Sequence, residues 1–431
     1  MALGIKKRMK LPNGRAPIVA AIDIGSTKVT CLIAQVKDQG EGLAPDIRVL
    51  GIGHQAAKGI RAGVITDMEA AEEVLRICVG KAEQMAGTTI LTAMVNISSP
   101  TLRSRIISEE VNLFHGEVTE TDVRRVLRDA HARAEGGTRQ TLHTIPIGFS
   151  VDGSKGIRDP HGMLGDRLLV RLNEVSVDPS PLRNIGVCVE RCHIEPEGPV
   201  FSAYASALGA LVEDEMELGT TVIECGGGTT SIASFFEGRM IFAKTFGVGG
   251  IHVTQDIARG LSTPLAHAER MKTFYGSTMA SPHDDREMID VHPIGEEHTR
   301  TAANHVPRSM LVGIIKPRIE ETFEFVREAL EVSGVERVAG HRIVLTGGAS
   351  QLNGLREYAG RFFDAHVRIG RPRGISGLPE SVSGPAFATA GGLLTYDFRA
   401  PEEDQGTGGG GLQGLLDLIG WGKGRSGRNA A

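Results

Sequence analysis

Cysteine pairs, long apolar runs and a strong charge of one sign are all missing from this sequence. The five cysteines, Cys31, Cys78, Cys188, Cys192 and Cys225, are odd in number and form no C-x-x-C pair. Cys188 and Cys192 lack the further ligands a zinc site needs, so buried thiols in a reducing compartment are the expectation. No stretch approaches the roughly 18 consecutive apolar residues of a membrane-spanning helix. The opening MALGIKKRMKLPNGRAP is basic through Lys6, Lys7, Arg8, Lys10 and Arg15, but no apolar core follows it. That excludes a secretory signal and leaves a solvated arm that could touch anionic lipid. A formal charge of -5 gives no general field for nucleic acid. Neither a G-x-x-x-x-G-K-[ST] loop nor a strand-linked G-x-G-x-x-G is present, which removes the P-loop and Rossmann readings.

What is there is globular. A chain of 431 residues, 41% hydrophobic and 23% charged, is too long for one ordinary core. Its 56 glycines gather in short loops and one tail. Residues 18–36 read as two β-rich runs around the turn IDIGSTK, and residues 220–242 read the same way around ECGGGTT. Apolar strand, acid, glycine, small hydroxyls, apolar strand: the pattern occurs twice, and it predicts two homologous lobes. Helical spacing marks 68–87, 117–135 with Thr119 as N-cap, and 309–334, where Pro317 predicts a kink or a second start. The runs TLHTIPIGFSVDG and DRLLVRLNEVSV predict a small α+β module at about 98–172, inserted in the first lobe. Residues 276–307 are polar and His-rich, and read as a surface loop. His283, His292, His298 and His305 have no metal-ligand spacing.

The two turns, one per lobe, bring backbone N–H groups and small hydroxyls toward a shared cleft. Glycine allows close approach, and a concave set of amides binds a polyphosphate. Asp23 and Glu224, one acid per turn, suit Mg²⁺ held through its water shell. A third segment, HRIVLTGGASQLNGL (341–355), reads as a buried strand, the Gly347–Gly348 turn and a helix start, with room for a flat ring. Each glycine turn alone is an ordinary tight turn; three in this order carry the reading.

IDIGSTK, ECGGGTTS, VLTGGASQLNGL and SGPAFATAGGLL (383–394) resemble the phosphate, phosphate, adenosine and second connecting motifs of the actin/hexokinase/heat-shock chaperone superfamily. Within it, ISSPTLRS, VTETDVRRVL, LHTIPIGFSVDGSKGIRDPHGMLGDRL, HAERMKTFYG and VRIGRPRGISGL resemble the FtsA family over residues 17–399. The resemblance implies an α/β, two-lobed actin-like ATPase fold with an inserted α+β subdomain and a C-terminal amphipathic helix. It divides the chain into a basic arm (1–16), a first lobe (17–215) carrying the insert, a second lobe (216–382), a closing helix (383–399), a linker (400–411) and a tail (412–431). It implies ATP and Mg²⁺ as cofactors. Asp23, Gly25, Ser26, Thr27 and Lys28 would form the first phosphate hairpin, and Gly226, Gly227, Gly228, Thr229 and Thr230 the second. Glu269 and Lys272 would approach ribose and base, and Gly347 and Gly348 would back the adenine.

One departure bears on catalysis. The family usually has aspartate where this chain has Glu224, and a second aspartate at Ser231. Glu224 therefore stands where a catalytic carboxylate would, about one methylene too long. A misplacement on the order of 1 Å can lower a rate ~100-fold, so ATP binding follows and efficient hydrolysis does not.

The tail, GLQGLLDLIGWGKGRSGRNAA, places Leu412, Leu415, Leu416 and Ile419 on one helical face, with Trp421 at its end and Lys423, Arg425 and Arg428 beyond. PEEDQGTGGGG before it reads as a flexible linker. Docking on the chain's own core is the competing reading, which such a linker disfavours. Family resemblance makes the tail a membrane anchor and the whole chain a polymerising adaptor between FtsZ filaments and the cytoplasmic membrane at the division septum. Its implied partners are the FtsZ C-terminal tail, other copies of itself, anionic lipid and later division proteins. The FtsZ tail would dock around 262–335, with Arg318 a candidate contact. The alternatives are an actin-like pilus-assembly protein, or a sugar or acetate kinase of the same fold. The kinase is disfavoured by Glu224 with Ser231 and by the tail.

Overall fold

The computed structural model describes residues 17–37, 39, 45–135, 137–294 and 304–400. The basic arm, most of the linker and the tail expected to anchor the chain lie outside the described residues.

Two sheets share one topology. In the first, Ile18–Ile24, Lys28–Lys37 and Asp46–Ala56 form an antiparallel meander, and Thr92–Ile97 and Glu195–Phe201 add in parallel on the far side of the opening strand. In the second, Thr220–Cys225, Thr230–Phe236 and Arg239–Phe246 form the meander, and Arg342–Thr346 and His366–Ile369 add in parallel. The duplication expected from the two glycine turns is therefore present strand for strand. The opening strands are buried almost throughout, as a central strand covered on both faces must be. Ile375–Ser376 extends the first sheet at its edge beside Asp46–Ala56.

The inserted module is an antiparallel sheet ordered Arg103–Asn112, Arg167–Val177, Gln140–Val151, Ser154–Ile157, covered by the helix Glu120–Glu135. Thr119 begins that helix, its hydroxyl accepting from the Asp122 amide while Asp122 reaches back to the Thr119 amide. This is a reciprocal cap with aspartate in the usual Glu position. The module has its own core around Val126, Leu168, Val170 and Leu172. It leans on the second sheet, where Asn173 donates to the Met240 carbonyl and Arg239 to the Pro146 carbonyl.

Between the sheets, Ser202–Ala210 and Ala388–Arg399 cross at close range. A Cβ on Gly392 would stand 1.6 Å from the Ala205 carbonyl oxygen, and one on Gly209 2.5 Å from that of Ala388. The closing helix is buried from Ala388 to Tyr396.

Two expectations need correction. Residues 276–307 are not simply a surface loop: Met288–Val291 pairs with Asn304–Pro307, and Asp284, buried under Arg308, accepts its guanidinium at 2.6 Å. Pro317 starts no second helix, because Arg308–Ser333 runs through it unbroken. Packing of Leu311, Ile315, Ile319 and Phe323 on the second-lobe core outweighs one lost amide bond. All five cysteines are free; burial pushes the Cys31 thiol well up and those of Cys78 and Cys225 up to about 12.

Candidate functional site

The two hairpins are closed by the same bond. The Gly25 amide donates to the Lys28 carbonyl at 3.0 Å, and the Gly226 amide to the Thr229 carbonyl at 2.9 Å. Asp23 and Glu224 occupy matching positions one residue from the end of each opening strand. The tips face one another across the cleft at contact distance. A Cβ on Gly227 would lie 2.4 Å from the Thr27 methyl, and one on Gly228 2.6 Å from the Ser26 hydroxyl and 2.9 Å from the Ala62 amide. Glycine at 227 and 228 is what lets the lobes come this close.

Asp23 is buried, and its Oδ1 accepts from Asn96 Nδ2 at 2.8 Å. Asn96 also bonds the Ser202 hydroxyl and accepts from the Ile24 amide. Burial pushes the Asp23 carboxyl up to about 6, against the pull of Lys28. The Lys28 ammonium is pushed down to about 8 by burial, against the pull of Asp23. It donates to the Ala386 carbonyl and lies 3.3 Å over the Phe387 ring, fastening the first hairpin to the closing segment.

Glu224 is half-buried, and its Oε1 accepts from Thr389 at 2.6 Å. Its Oε2 is fully buried and has no hydrogen-bond partner. Burial pushes this carboxyl up to about 7; the Thr389 hydroxyl opposes the rise, the Asp23 charge adds to it, and the Ser206 hydroxyl, itself 2.8 Å from that of Thr389, opposes it. Ser231, opposite Glu224 in the hairpin, is tied to Thr245. Thr229 and Thr230 are buried, Thr230 donating to the Val248 carbonyl.

Behind the second hairpin, the helix Gly250–Gly260 starts against it, with the Gly250 and Ile251 amides donating to the Gly226 and Gly227 carbonyls. Lys272 donates to the Gly250 carbonyl, to Thr254 and to Glu269, so Glu269 and Lys272 are brought together. Gly250 in turn approaches Ala349, which links this pair to the third glycine turn. Gly347 has φ 83°, and a Cβ there would meet the Cys225 carbonyl oxygen at 2.4 Å. Gly348 faces open space up to Ala386 Cβ at 3.9 Å.

The cleft thus gathers the expected hairpin, Glu269–Lys272 and Gly347–Gly348 positions. Arg318 is elsewhere, on the helix Arg308–Ser333, where its guanidinium bonds Asp256 at 2.5 and 3.2 Å and also pairs with Glu321. It is not an unengaged cation. Sequence reasoning missed Asn96, Ser206 and Thr389. The available signals were an amide inside the apolar run TAMVNI and a lone hydroxyl in PAFATAGG.

Known proteins resemble the chain at both levels. The family model described as "Cell division protein FtsA" matches residues 221–392, and "SHS2 domain inserted in FTSA" matches residues 100–176. Cell division protein FtsA of Rhizobium meliloti (strain 1021) is 45% identical, covering 94% of this chain and 93% of that protein. The Pseudomonas aeruginosa protein of the same name is 34% identical over 89% of each, and that of Escherichia coli (strain K12) 31% over 88% and 90%. A solved structure described as a PilM-PilN type IV pilus biogenesis complex shares the fold, with TM-score 0.62, 15% identity and coverage of 88% of this chain and 98% of that one. At that identity it speaks for the fold alone, and not for a pilus function. The chain belongs to the FtsA family, and is an actin-like cell division protein.

Proposed function

We propose that this protein binds Mg-ATP between its lobes, turns it over very slowly, polymerises, and tethers FtsZ filaments to the cytoplasmic face of the membrane at the septum. The observation that carries the nucleotide part is the pair of matching glycine hairpins, closed by equivalent bonds and facing each other with one buried carboxyl apiece. Backbone amides and small hydroxyls so arranged suit a polyphosphate. Lobe boundaries near 215 and 382, with residues 383–399 returning to the first lobe, accompany this reading.

The donor set fits a cation held chiefly through water and phosphate. Asp23 and Glu224 are two carboxylates whose charge burial opposes, Glu224 with a buried, partnerless oxygen, and an added cation would favour both. Among the described residues no cluster of three or more His, Cys, Asp or Glu could hold a metal by itself. Mg²⁺ would supply charge neutralisation of the phosphates. Lys28 and the hairpin amides would bind and orient, and Gly348 would leave space for the base.

Family membership supports the division role, the FtsZ tail docking on the second lobe around 262–335, the membrane and the later division proteins as partners. Since Arg318 is held by Asp256 and Glu321, the lobe assignment rests on the resemblance and not on that residue. Equilibrium binding of a fluorescent ATP analogue with and without Mg²⁺, alongside steady-state phosphate release, tests the reading. Mg-dependent binding with turnover far below that of a sugar kinase is expected; efficient turnover would overturn it.

A further inference from the structure

The Glu224 side chain is long enough to leave its own lobe. Its Oε1 crosses from the second lobe to Thr389 on the closing helix, at 2.6 Å. Thr389 in turn shares a hydrogen bond of 2.8 Å with Ser206, on the first-lobe helix Ser202–Ala210. The Ser206 hydroxyl also acts on the Glu224 carboxyl, opposing the rise of its pKa, so both hydroxyls serve this one acid. Three elements of distant sequence are joined by this single wire. An aspartate, about 1.5 Å shorter, would not span to Thr389 from the same backbone. The other oxygen, Oε2, stays buried and partnerless.

We propose that Glu224 is an interlobe latch, not a hydrolytic group: Oε1 fastens the second lobe to the two crossing helices through Thr389 and Ser206, while Oε2 meets the water shell of the bound cation. This deepens the nucleotide reading above and rests on it. A cation whose water shell reaches Oε2 holds the same side chain that Oε1 ties to the crossing helices. Loading the site and closing the latch therefore favour one arrangement, and by reciprocity each tightens the other.

The test compares wild type with Thr389→Val, Thr389→Ser and Glu224→Asp in the full chain. One measurement is the release rate of a fluorescent ATP analogue in Mg²⁺ and in EDTA. The other is deuterium uptake across 388–400 without nucleotide. Thr389→Val and Glu224→Asp should release the analogue about tenfold faster or more in Mg²⁺, with little change in EDTA. Both should raise uptake across 388–400, and Thr389→Ser should restore wild-type values. Thr389→Val that is folded, releases at the wild-type rate and protects 388–400 normally would overturn the latch. Wild type that binds no analogue while Thr389→Val still loosens 388–400 would overturn the nucleotide reading and with it the cation half of the proposal, leaving the interlobe bond itself supported.

Discussion

Three charged groups of the cleft sit where water reaches them poorly, and each is shifted against its charge. Asp23 is pushed up to about 6 and Glu224 to about 7, while Lys28 is pushed down to about 8, burial being the first cause in every case. A raised carboxyl means the folded state holds a proton that the unfolded chain has already released. Between the ordinary values of 3.8 and 4.5 and the shifted ones, raising the pH therefore lowers stability. Nucleotide-free protein should be less stable, and melt at lower temperature, at pH 7.5 than at pH 5.5, the stability difference being on the order of a few kcal/mol at most. Glu224→Gln should flatten the dependence, and Mg²⁺ with ATP should oppose it by neutralising the carboxylates. A thermal-shift series in pH checks this, and a melting temperature that rises over that interval would contradict it. The placing of Asp23 beside the first glycine turn was legible from one heptapeptide. That of Asn96 and Thr389 was not, since each acts on a carboxylate 73 and 165 positions away.

At the scale of elements, local pattern and distant packing divide the credit. The meanders, the capped helix at Thr119 and the three glycine turns follow from alternation, capping and turn chemistry that a single stretch contains. The hairpin within 276–307 did not, because its partner strands are four residues each and its anchor is the ion pair of Asp284 with Arg308, which no periodicity announces. The crossing of Ser202–Ala210 with Ala388–Arg399 was equally silent, written only as small residues. Its tolerance is narrow. Gly392→Ala would drive a methyl into the Ala205 carbonyl, 1.6 Å away, and the helices must part. A loss of about 1–3 kcal/mol or more is expected, with looser closure of the cleft and weaker nucleotide binding. Denaturant unfolding with equilibrium binding measures both; unchanged stability would mean that the helices separate without cost.

For the whole molecule, the proposed anchor and the folded body are separable in sequence, since no cleft motif lies beyond Arg399. Deleting 412–431 should abolish liposome binding and leave ATP and FtsZ binding intact. Leu416→Glu should do nearly as much, because a charge in the middle of the apolar face costs on the order of 1–3 kcal/mol. An anchor of this size would bury only a few side chains and bind weakly, so the proposed attachment would draw on many copies on one filament. Flotation with anionic vesicles at high salt decides the matter, and undiminished flotation of the deletion variant would move the anchor to the basic N-terminal arm.

The described residues close at Ala400, at the end of a helix held along its length. Lys28 grips the Ala386 carbonyl ahead of it, Thr389 is bound near its first turn, and Arg399 donates to the Leu208 carbonyl at its last. A pull along that axis would shear all of these contacts together and would not peel them one by one. If a membrane and a filament haul on this molecule from opposite sides, the tension enters through a deeply seated helix, and that helix carries Thr389 at the cleft.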